Sequence, residues 1–433
     1  MMKTSGWISE TGAPLSASFD FSDKCIVCGL QRTEMEGRKK LLKCSQCYSI
    51  KYCSEICQKK HWKIHKPHCM YVLASNKDMK KTAKLNEAFE MAFNRIKHSD
   101  FKSFKNILDE NIEELKDWQH AEIGFGTLTM ASSFLNKVEF LDFLVSRGAD
   151  IALKDNFGFS AVLYASQAGN IRCLSYLIEK SADIHTLSAR GLNALSLAAM
   201  GGHDSCASLL LDHGVNIDSR NNECATALMY AVENDHLSCA SLLLERGADV
   251  EAKNDRGGSA LIQASSKGQL SMISLMIEHK ALIESRTNEG FTALMYAVQN
   301  GHVVCARKLI EYGADVNAIN NDNACCLNFA ANFGNHSCVA LLLEHGADPN
   351  VPNKKGTTAL MCVSLWGAAD SVQMLLEHGA NIDAVDQAGN TALSLARTPT
   401  VRKLINQAKV SRNNGKGGNG VKVKPAKYAS IDW

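Results

Sequence analysis

From residue 158 onward the chain repeats one order of polar and apolar positions. A turn residue comes first, then a small polar side chain, then an Ala/Leu-rich run, then a second apolar run ending near a glycine. Gly158, Gly191, Cys224, Gly257, Gly290, Asn323, Gly356 and Gly389 open successive units 33 residues apart, with no insertion or deletion. Ser160, Asn193, Thr226, Ser259, Thr292, Thr358 and Thr391 share the position before the first apolar run. Side-chain oxygens there are placed to accept from the free amides of a first helical turn. Cys325 is the misfit at this position. The second run reads Ser-Cys-Ala-Ser-Leu-Leu-Leu-Glu from Ser238 and Ser-Cys-Val-Ala-Leu-Leu-Leu-Glu from Ser337. A glycine after it is the favoured left-handed helix cap. The pattern predicts two short antiparallel helices and a turn per unit. A fixed period of this length predicts stacked units, each burying its apolar face on its neighbours.

The signatures Gly-x-Thr-Ala-Leu from Gly290 and Gly389, and Gly-Ala-Asp from Gly247, Gly313 and Gly346, resemble the ankyrin repeat. The resemblance covers about two thirds of the chain and implies a mostly α fold, an ankyrin-repeat solenoid over residues 118–408. The family's Thr-Pro-Leu-His is replaced here by Thr-Ala-Leu-Met or Thr-Ala-Leu-Ser. That loss removes a rigid helix start from every unit. Phe125 to Asp150 keeps the spacing with a degraded signature, and Leu85 to Glu110 reads as a further degenerate helix pair. Residues 76–117 are therefore expected to be a helical linker or a capping repeat, as terminal units of such arrays often are.

Composition sharpens this. The chain of 433 residues has sixteen cysteines and six prolines. No stretch approaches the roughly 18 apolar residues of a membrane span, and Met1 to Ser18 holds no continuous apolar run. An intracellular setting, cytoplasmic or nuclear, is expected, so the cysteines are not expected to form disulfides. Cys173, Cys206, Cys239, Cys305 and Cys338 fall on one repeat position, taken by Met272 in the unit between. A position that accepts Cys or Met reads as packed interior. His203, His236 and His302 share a second position, and His213, His279, His345 and His378 a third, so these read as parts of the repeat. Cys224, Cys325 and Cys326 replace signature residues, and Cys362 sits in an apolar or aromatic slot. No cysteine stands out as a nucleophile.

The other seven cysteines crowd the head: Cys25-x2-Cys28-x15-Cys44-x2-Cys47-x5-Cys53-x3-Cys57-x7-His65-x3-Cys69. Eight Cys/His ligands suffice for two closed tetrahedral zinc sites. So short and aliphatic-poor a segment needs metal to fold, and zinc supplies about 10–16 kcal/mol per structural site. Tyr52-Cys53-Ser54-Glu55-Ile56-Cys57-Gln58, then Trp62, His65-Lys66 and Cys69, resemble the MYND zinc finger. That resemblance, over residues 25–69, implies a cross-brace. One zinc takes Cys25, Cys28, Cys53 and Cys57; the other takes Cys44, Cys47, His65 and Cys69. His61 and His68 are the competing histidines. With no ligand position open, both ions are structural. The resemblance also implies a shallow groove for proline-containing peptides, using Gln58 and Trp62. These stand at i, i+4 on one helix face; the alternative is that Trp62 only covers a zinc site.

Charge divides the chain. Residues 25–70 hold ten Lys/Arg against three Glu, a formal +7, and residues 409–427 carry +6. Against a total of +2, the remainder carries −11. The Gly-rich tail, residues 409–433, is expected to be disordered, as is the stretch 1–24. In the array, one slot reads Ala168, Gly201, Asn234, Lys267, Asn300, Phe333, Trp366, and its neighbour ends Gln299, Asn332, Leu365. By the ankyrin resemblance this slot lies on the exposed concave face, where Phe333 and Trp366 become candidate partner anchors; the alternative is that they fill a packing gap beside Cys325 and Cys326. The reading that follows is a non-enzymatic, monomeric adaptor for proteins, without membrane contact. The alternatives are a transcriptional co-regulator touching nucleic acid or chromatin through the basic ends, and a RING-like ubiquitin ligase. A RING expects Cys-x-His before paired C-x2-C, which the Cys44-x2-Cys47 centre lacks. No SET domain, phosphate loop or nucleophile elbow accompanies the repeats.

Elemental analysis of the purified chain is expected to give two zinc ions per chain; one or none removes the cross-brace.

Overall fold

The structure is a computed structural model, and it describes residues 42–43, 51–52, 75–118 and 127–414. The chain divides into two compact units, 1–188 and 189–433.

In the first unit, β1 (Leu42–Lys43) and β2 (Lys51–Tyr52) pair antiparallel, Leu42 against Tyr52 and Lys43 against Lys51. Next come α1 (Ser75–Lys97) and α2 (Phe101–Leu115). Two shorter pairs follow: α3 (Leu128–Phe134) with α4 (Val138–Ser146), and α5 (Ala161–Gln167) with α6 (Ile171–Glu179). The α3–α4 pair lies 33 residues before α5–α6, so the degraded signature still folds as a repeat. Its cap survives: Thr127 Oγ1 accepts from Met130 N at 3.3 Å. The α1–α2 pair departs from the repeat. Its first helix has 23 residues and its turn is three residues long, with Asp100 capping α2 through Ser103 N at 3.1 Å. What holds it is an aromatic core. Phe89, Phe104 and Phe140 are buried together, Phe104 and Phe140 lie 4.8 Å apart edge to face, and Trp118 Nε1 donates to Asn86 Oδ1 at 3.0 Å. The pair thus packs into the core of its unit.

The second unit stacks helix pairs at a constant pitch: α7 (Ala194–Met200) with α8 (Asp204–Asp212), α9 (Ala227–Glu233) with α10 (Leu237–Glu245), and α11 (Ala260–Lys267) with α12 (Leu270–Glu278). It continues with α13 (Ala293–Gln299) and α14 (Val303–Glu311), α15 (Cys326–Asn332) and α16 (His336–Glu344), α17 (Ala359–Trp366) and α18 (Ala369–Glu377), and closes with α19 (Ala392–Leu395) and α20 (Pro399–Asn414). Helices of seven to nine residues are too short to persist alone; lateral burial of their Ala/Leu faces holds them. Cys173 in the first unit and Cys206, Cys239, Met272, Cys305 and Cys338 in the second are all buried, as their shared position predicts.

The capping expectation holds at four of the seven polar positions. Asn193, Thr226, Thr292 and Thr391 accept from the amide three residues on. Ser160, Ser259 and Thr358 have the same extended backbone but no cap bond, and their buried hydroxyls find no partner. The misfit at Cys325 is repaired from the far side: its amide donates to Asn328 Oδ1 at 2.9 Å, the reciprocal half of a capping box.

Two glycine positions differ in their cause. At the opening turn, a Cβ on Gly191, Gly257 or Gly290 would lie within 2.7 Å of the Asn222, Asn288 or Asn321 amide oxygen of the next repeat. Those asparagines donate to Ala189, Asp255 and Asn288 carbonyls at 2.9–3.1 Å. Where the opener is Cys224 or Asn323, the next repeat offers Asp255 or Lys354 instead, and the left-handed backbone remains, with φ of 58° and 55°. At the end of the second helix the reason is backbone alone. Gly214, Gly247, Gly313, Gly346 and Gly379 have φ of 80–94° with open space beside them. Ser181 and Lys280 hold φ of 62° and 68° at the same slot, so His279 precedes a left-handed lysine where the pattern led us to expect a glycine.

The tail boundary at residue 409 also moves. α20 continues to Asn414 because Val401 and Ile405 are buried, Lys409 pairs with Asp383 at 3.4 Å and Arg412 donates to Ala380 O at 2.7 Å. These polar anchors reach back to the preceding turn, which the sparse apolar content of residues 409–414 did not reveal. Residues 415–433 and 1–24 lie outside the described residues.

Lys280→Gly is expected to raise stability by about 1 kcal/mol, because a left-handed L-residue costs about 1–2 kcal/mol and the slot has no steric need for a side chain. Urea unfolding of the two chains measures it; an unchanged or lower midpoint contradicts the assignment. A second outcome concerns the thiols. Burial pushes Cys173 and Cys239 up to about 12, and Cys206 and Cys338 up to about 11. Unfolded thiols ionise near 8.5, so above that pH the unfolded state loses protons that the folded state keeps. Stability is then lost as pH rises from about 8.5 to 11. The urea midpoint should fall across that window, and Cys239→Ala should flatten the fall.

Candidate partner-binding face and metal module

In two repeats the slot at the end of the first helix caps the helix before it. Lys267 Nζ donates to Glu233 O and Asn300 Nδ2 to Ser266 O, both at 2.6 Å. Trp366 occupies the same slot and does the same work, its Nε1 donating to Asn332 O at 2.8 Å. The indole therefore has a structural contact that the sequence did not show. A lysine or asparagine suffices for that contact, however, and the rest of the tryptophan is surplus to it. Trp366 is 56% exposed, Phe333 52% and Leu365 52%. Phe333 carries no donor, and the Gln299 carbonyl of the preceding helix is taken by Asn335 Nδ2 at 2.8 Å. The two large rings thus stand on adjacent repeats, at the ends of α15 and α17, without being buried.

The face continues inward. Phe329 and Cys362 lie one helical turn before Phe333 and Trp366 and are half-buried. Phe329 packs on Phe291 at 5.0 Å between ring centres, and Phe291 on Tyr296 at 5.1 Å. Cys362 belongs to this surface rather than to chemistry: burial pushes its thiol up to about 11, far from a thiolate at neutral pH. Cys326 is raised well above the ordinary value by the same cause. Two tip residues, Ile319 and Val385, are 42% and 58% exposed and were not among the candidates read from the sequence. The slot they share, 33 residues apart, reads Lys154, Leu187, Arg220, Lys253, Arg286, Ile319, Pro352, Val385 and so mixes cations with apolar residues.

The histidines resolve as helix furniture. His236 Nε2 donates to Met200 O at 3.1 Å and His302 Nε2 to Ser266 O at 3.0 Å. His213, His345 and His378 each use Nδ1 on the carbonyl four residues back, at 2.8–2.9 Å. Among the described residues, no three His, Cys, Asp or Glu side chains group to hold a metal, and no helix is long and apolar enough to cross a membrane.

The eight expected zinc ligands, Cys25, Cys28, Cys44, Cys47, Cys53, Cys57, His65 and Cys69, and the groove residues Gln58 and Trp62, lie outside the described residues. The two-stranded ladder adjoins them in sequence. Cys44 directly follows Lys43 of β1, and Cys53 directly follows Tyr52 of β2.

Comparison with known proteins agrees with both halves. The family model for the MYND finger matches residues 25–69. Over 47 residues the chain is 58% identical to the human Histone-lysine N-methyltransferase SMYD3 and 54% identical to its mouse counterpart, covering 11% of this chain and 9% of each of those. A SET and MYND domain-containing protein of Dictyostelium discoideum is 44% identical over 45 residues, 10% of this chain and 8% of its own. The chain thus spans under a tenth of the curated relatives it matches. The family model for ankyrin repeats (3 copies) matches residues 128–218, 180–254, 250–320 and 326–414, starting at the degraded repeat of α3 and running through α20. The chain belongs to the ankyrin repeat family, with a MYND finger at its N-terminal side.

Proposed function

We propose that this chain is a non-catalytic adaptor, which holds one protein on the repeat array and a second, through a proline-containing peptide, on the finger. The observation that carries the first half is the exposure of Phe333 and Trp366 on adjacent repeats, in a slot whose structural work polar residues perform elsewhere. Exposed aromatic side chains on neighbouring rigid units are the composition of binding hot spots. The second half rests on Gln58 and Trp62, matched within the MYND pattern.

In this reading two structural zinc ions hold the finger, one through Cys25, Cys28, Cys53 and Cys57 and the other through Cys44, Cys47, His65 and Cys69. That split is the one the resemblance to the MYND pattern implies. Thiolate and imidazole donors suit zinc, and four donors per ion leave no place for an activated water. The likeness to the methyltransferases is confined to the finger, so their activity is not carried over. A second reading, a co-regulator that contacts chromatin or nucleic acid, draws on the formal +7 of residues 25–70 and +6 of residues 409–427. Binding of that kind weakens steeply with salt.

Affinity capture with the full chain tests the scheme. Gln58→Ala with Trp62→Ala is expected to release one set of partners, and Phe333→Asn with Trp366→Asn a different set. If both double variants retain every partner of the parent chain, neither site is used. Duplex DNA bound at sub-micromolar affinity, with a steep salt slope, favours the second reading.

A further inference from the structure

The final repeat departs from the others at the end of its first helix. α19 stops at Leu395 after one turn, because Ala396 takes φ −59° and ψ 112°, outside the helical region. The earlier first helices of this unit run seven or eight residues. Pro399, which opens α20, stands in the slot of Phe333 and Trp366 and has no N–H to donate. What adjoins the end of α17 is therefore the short link 396–398 rather than a further helical turn.

That link brings cations to the exposed rings. Arg397 N donates to Ser364 O at 3.1 Å, two residues before Trp366. Thr398 comes so near the end of α17 that a Cβ on Gly367 would lie 2.8 Å from its Cγ2. Trp366 Nε1 in turn donates to Asn332 O, beside Phe333, at 2.8 Å. An unbroken run of contacts joins Phe333, Trp366 and Arg397. Arg397 is exposed and has no side-chain partner among the described residues. Arg402, also exposed, spends Nε on Ala396 O at 3.0 Å.

The charge of this corner is one-sided. From Gln387 to Asn414 the chain holds Arg397, Arg402, Lys403, Lys409 and Arg412 and no carboxylate. Lys409 and Arg412 are engaged at the far end of α20, on Asp383 and Ala380 O. The neighbouring hairpin segments 332–337 and 365–371 contain one carboxylate, Asp370. Asp370 stands in the slot of Ser205, Ser238 and Ser271. Those serines line an open groove along the second helices α8, α10 and α12, with Glu245 and Glu278, and no first-helix residue lines it. Asp370 belongs to that side of the repeat, so Arg397, Arg402 and Lys403 set the sign beside the rings.

Resting on the adaptor reading, we infer that the end of the array seats an extended segment of a partner protein whose large apolar side chains cover Phe333, Leu365 and Trp366 and whose carboxylate, one repeat farther on, pairs with Arg397 and Arg402. Desolvation of the rings supplies the anchor. Charge selects the occupant, because a basic segment would set like charges together, and the planar guanidinium fork matches a carboxylate. Adjacent repeats pack their helices about 8–10 Å apart, and an extended chain advances about 3.3 Å per residue. The carboxylate should stand about three positions from the apolar residue over Trp366.

The test is selection of random 14-residue segments from a display library on the full chain, with fluorescence anisotropy of the enriched peptides. Three double variants accompany it, each checked for folding by circular dichroism melting. Phe333→Asn with Trp366→Asn keeps the amide donor that Asn300 uses in this slot. Arg397→Gln with Arg402→Gln removes charge and leaves the Arg397 backbone bond in place. Arg397→Glu with Arg402→Glu reverses the charge. We expect peptides that carry Trp, Phe or Leu with Asp or Glu about three positions away. The Asn and Gln variants should weaken them at least tenfold, and salt should weaken them on the parent chain but much less on the Gln variant. The Glu variant should prefer versions of the same peptides with Lys in place of the carboxylate. Enriched peptides without a carboxylate, or peptides and captured proteins that both the Asn and Gln variants hold as well as the parent, overturn the inference while leaving an adaptor that uses another surface. A single-stranded oligonucleotide that binds the parent more tightly than any peptide, and is lost on the Gln variant, overturns it in favour of nucleic acid. A library that yields no binder, together with a full chain that captures no protein, removes the adaptor reading as well.

Discussion

Much of the array depends on a donor that reaches from one repeat to the closing turn of the first helix before it. Asn170 Nδ2 donates to Ser133 and Phe134 carbonyls at 2.7 and 2.6 Å, Gln269 Nε2 to Val232 O at 2.9 Å, and Asn335 Nδ2 to Val298 and Gln299 carbonyls at 2.8 Å. His236 and His302 fill the same slot with an imidazole. Carbonyls at a helix end have no partner within the helix, and leaving them buried and unpaired costs about 1–3 kcal/mol each. The neighbouring repeat is what satisfies them. A 33-residue unit of this kind is incomplete by itself, and its polar bonds as well as its apolar face require the next. An insertion of even one residue between units would displace the donor from its carbonyl, which gives a physical reason for the strict period.

That constraint explains what was legible in the sequence. Helix number, turn position and the buried cysteine row all follow from the period, because stacking forces equivalent residues into equivalent surroundings. Less legible were features settled by a partner in the adjacent repeat. Cys224 looks like a defect against Gly191; it keeps the left-handed backbone at φ 58°, but the Asn222 that crowds Gly191 from the next repeat is replaced after Cys224 by Asp255. Cys325 looks like a lost cap, yet Asn328 holds the same turn from the other direction. Residue type alone also overstates capping: Thr358 and Thr292 share position and backbone, and only Thr292 makes the bond. The long α1 and the extension of α20 to Asn414 were hidden for a different reason. Outside the repeat there is no period to read, and contacts such as Arg412 to Ala380 O connect residues far apart in sequence.

The candidate face was half legible. Phe333 and Trp366 stood out because the repeat provides an internal control: the five equivalent positions from Ala168 to Asn300 are all small or polar. Ile319 and Val385 have no such control, because their slot already carries the exposed Leu187 in an earlier repeat. The Trp366 hydrogen bond could not have been seen that way, since tryptophan is an unusual donor for a helix end and only coordinates show it reaching Asn332 O.

This internal control also decides how the aromatic residues should be weighed. A large exposed ring in an irregular protein can often be a consequence of local packing. In a strict repeat that explanation has to account for equivalents with the same backbone and neighbours of the same kind. Lys267 and Asn300 cap their neighbours from this slot, while Ala168 and Gly201 bring no side-chain donor and Asn234 turns to Tyr230 O of its own helix, so the slot demands no particular side chain. The ring of Trp366 extends beyond the capping contact, and the ring of Phe333 offers no donor at all. Both changes move surface from polar to apolar, on adjacent repeats. Packing would have to produce two coincident departures in places that remain half exposed. A partner that covers that surface needs to produce only one.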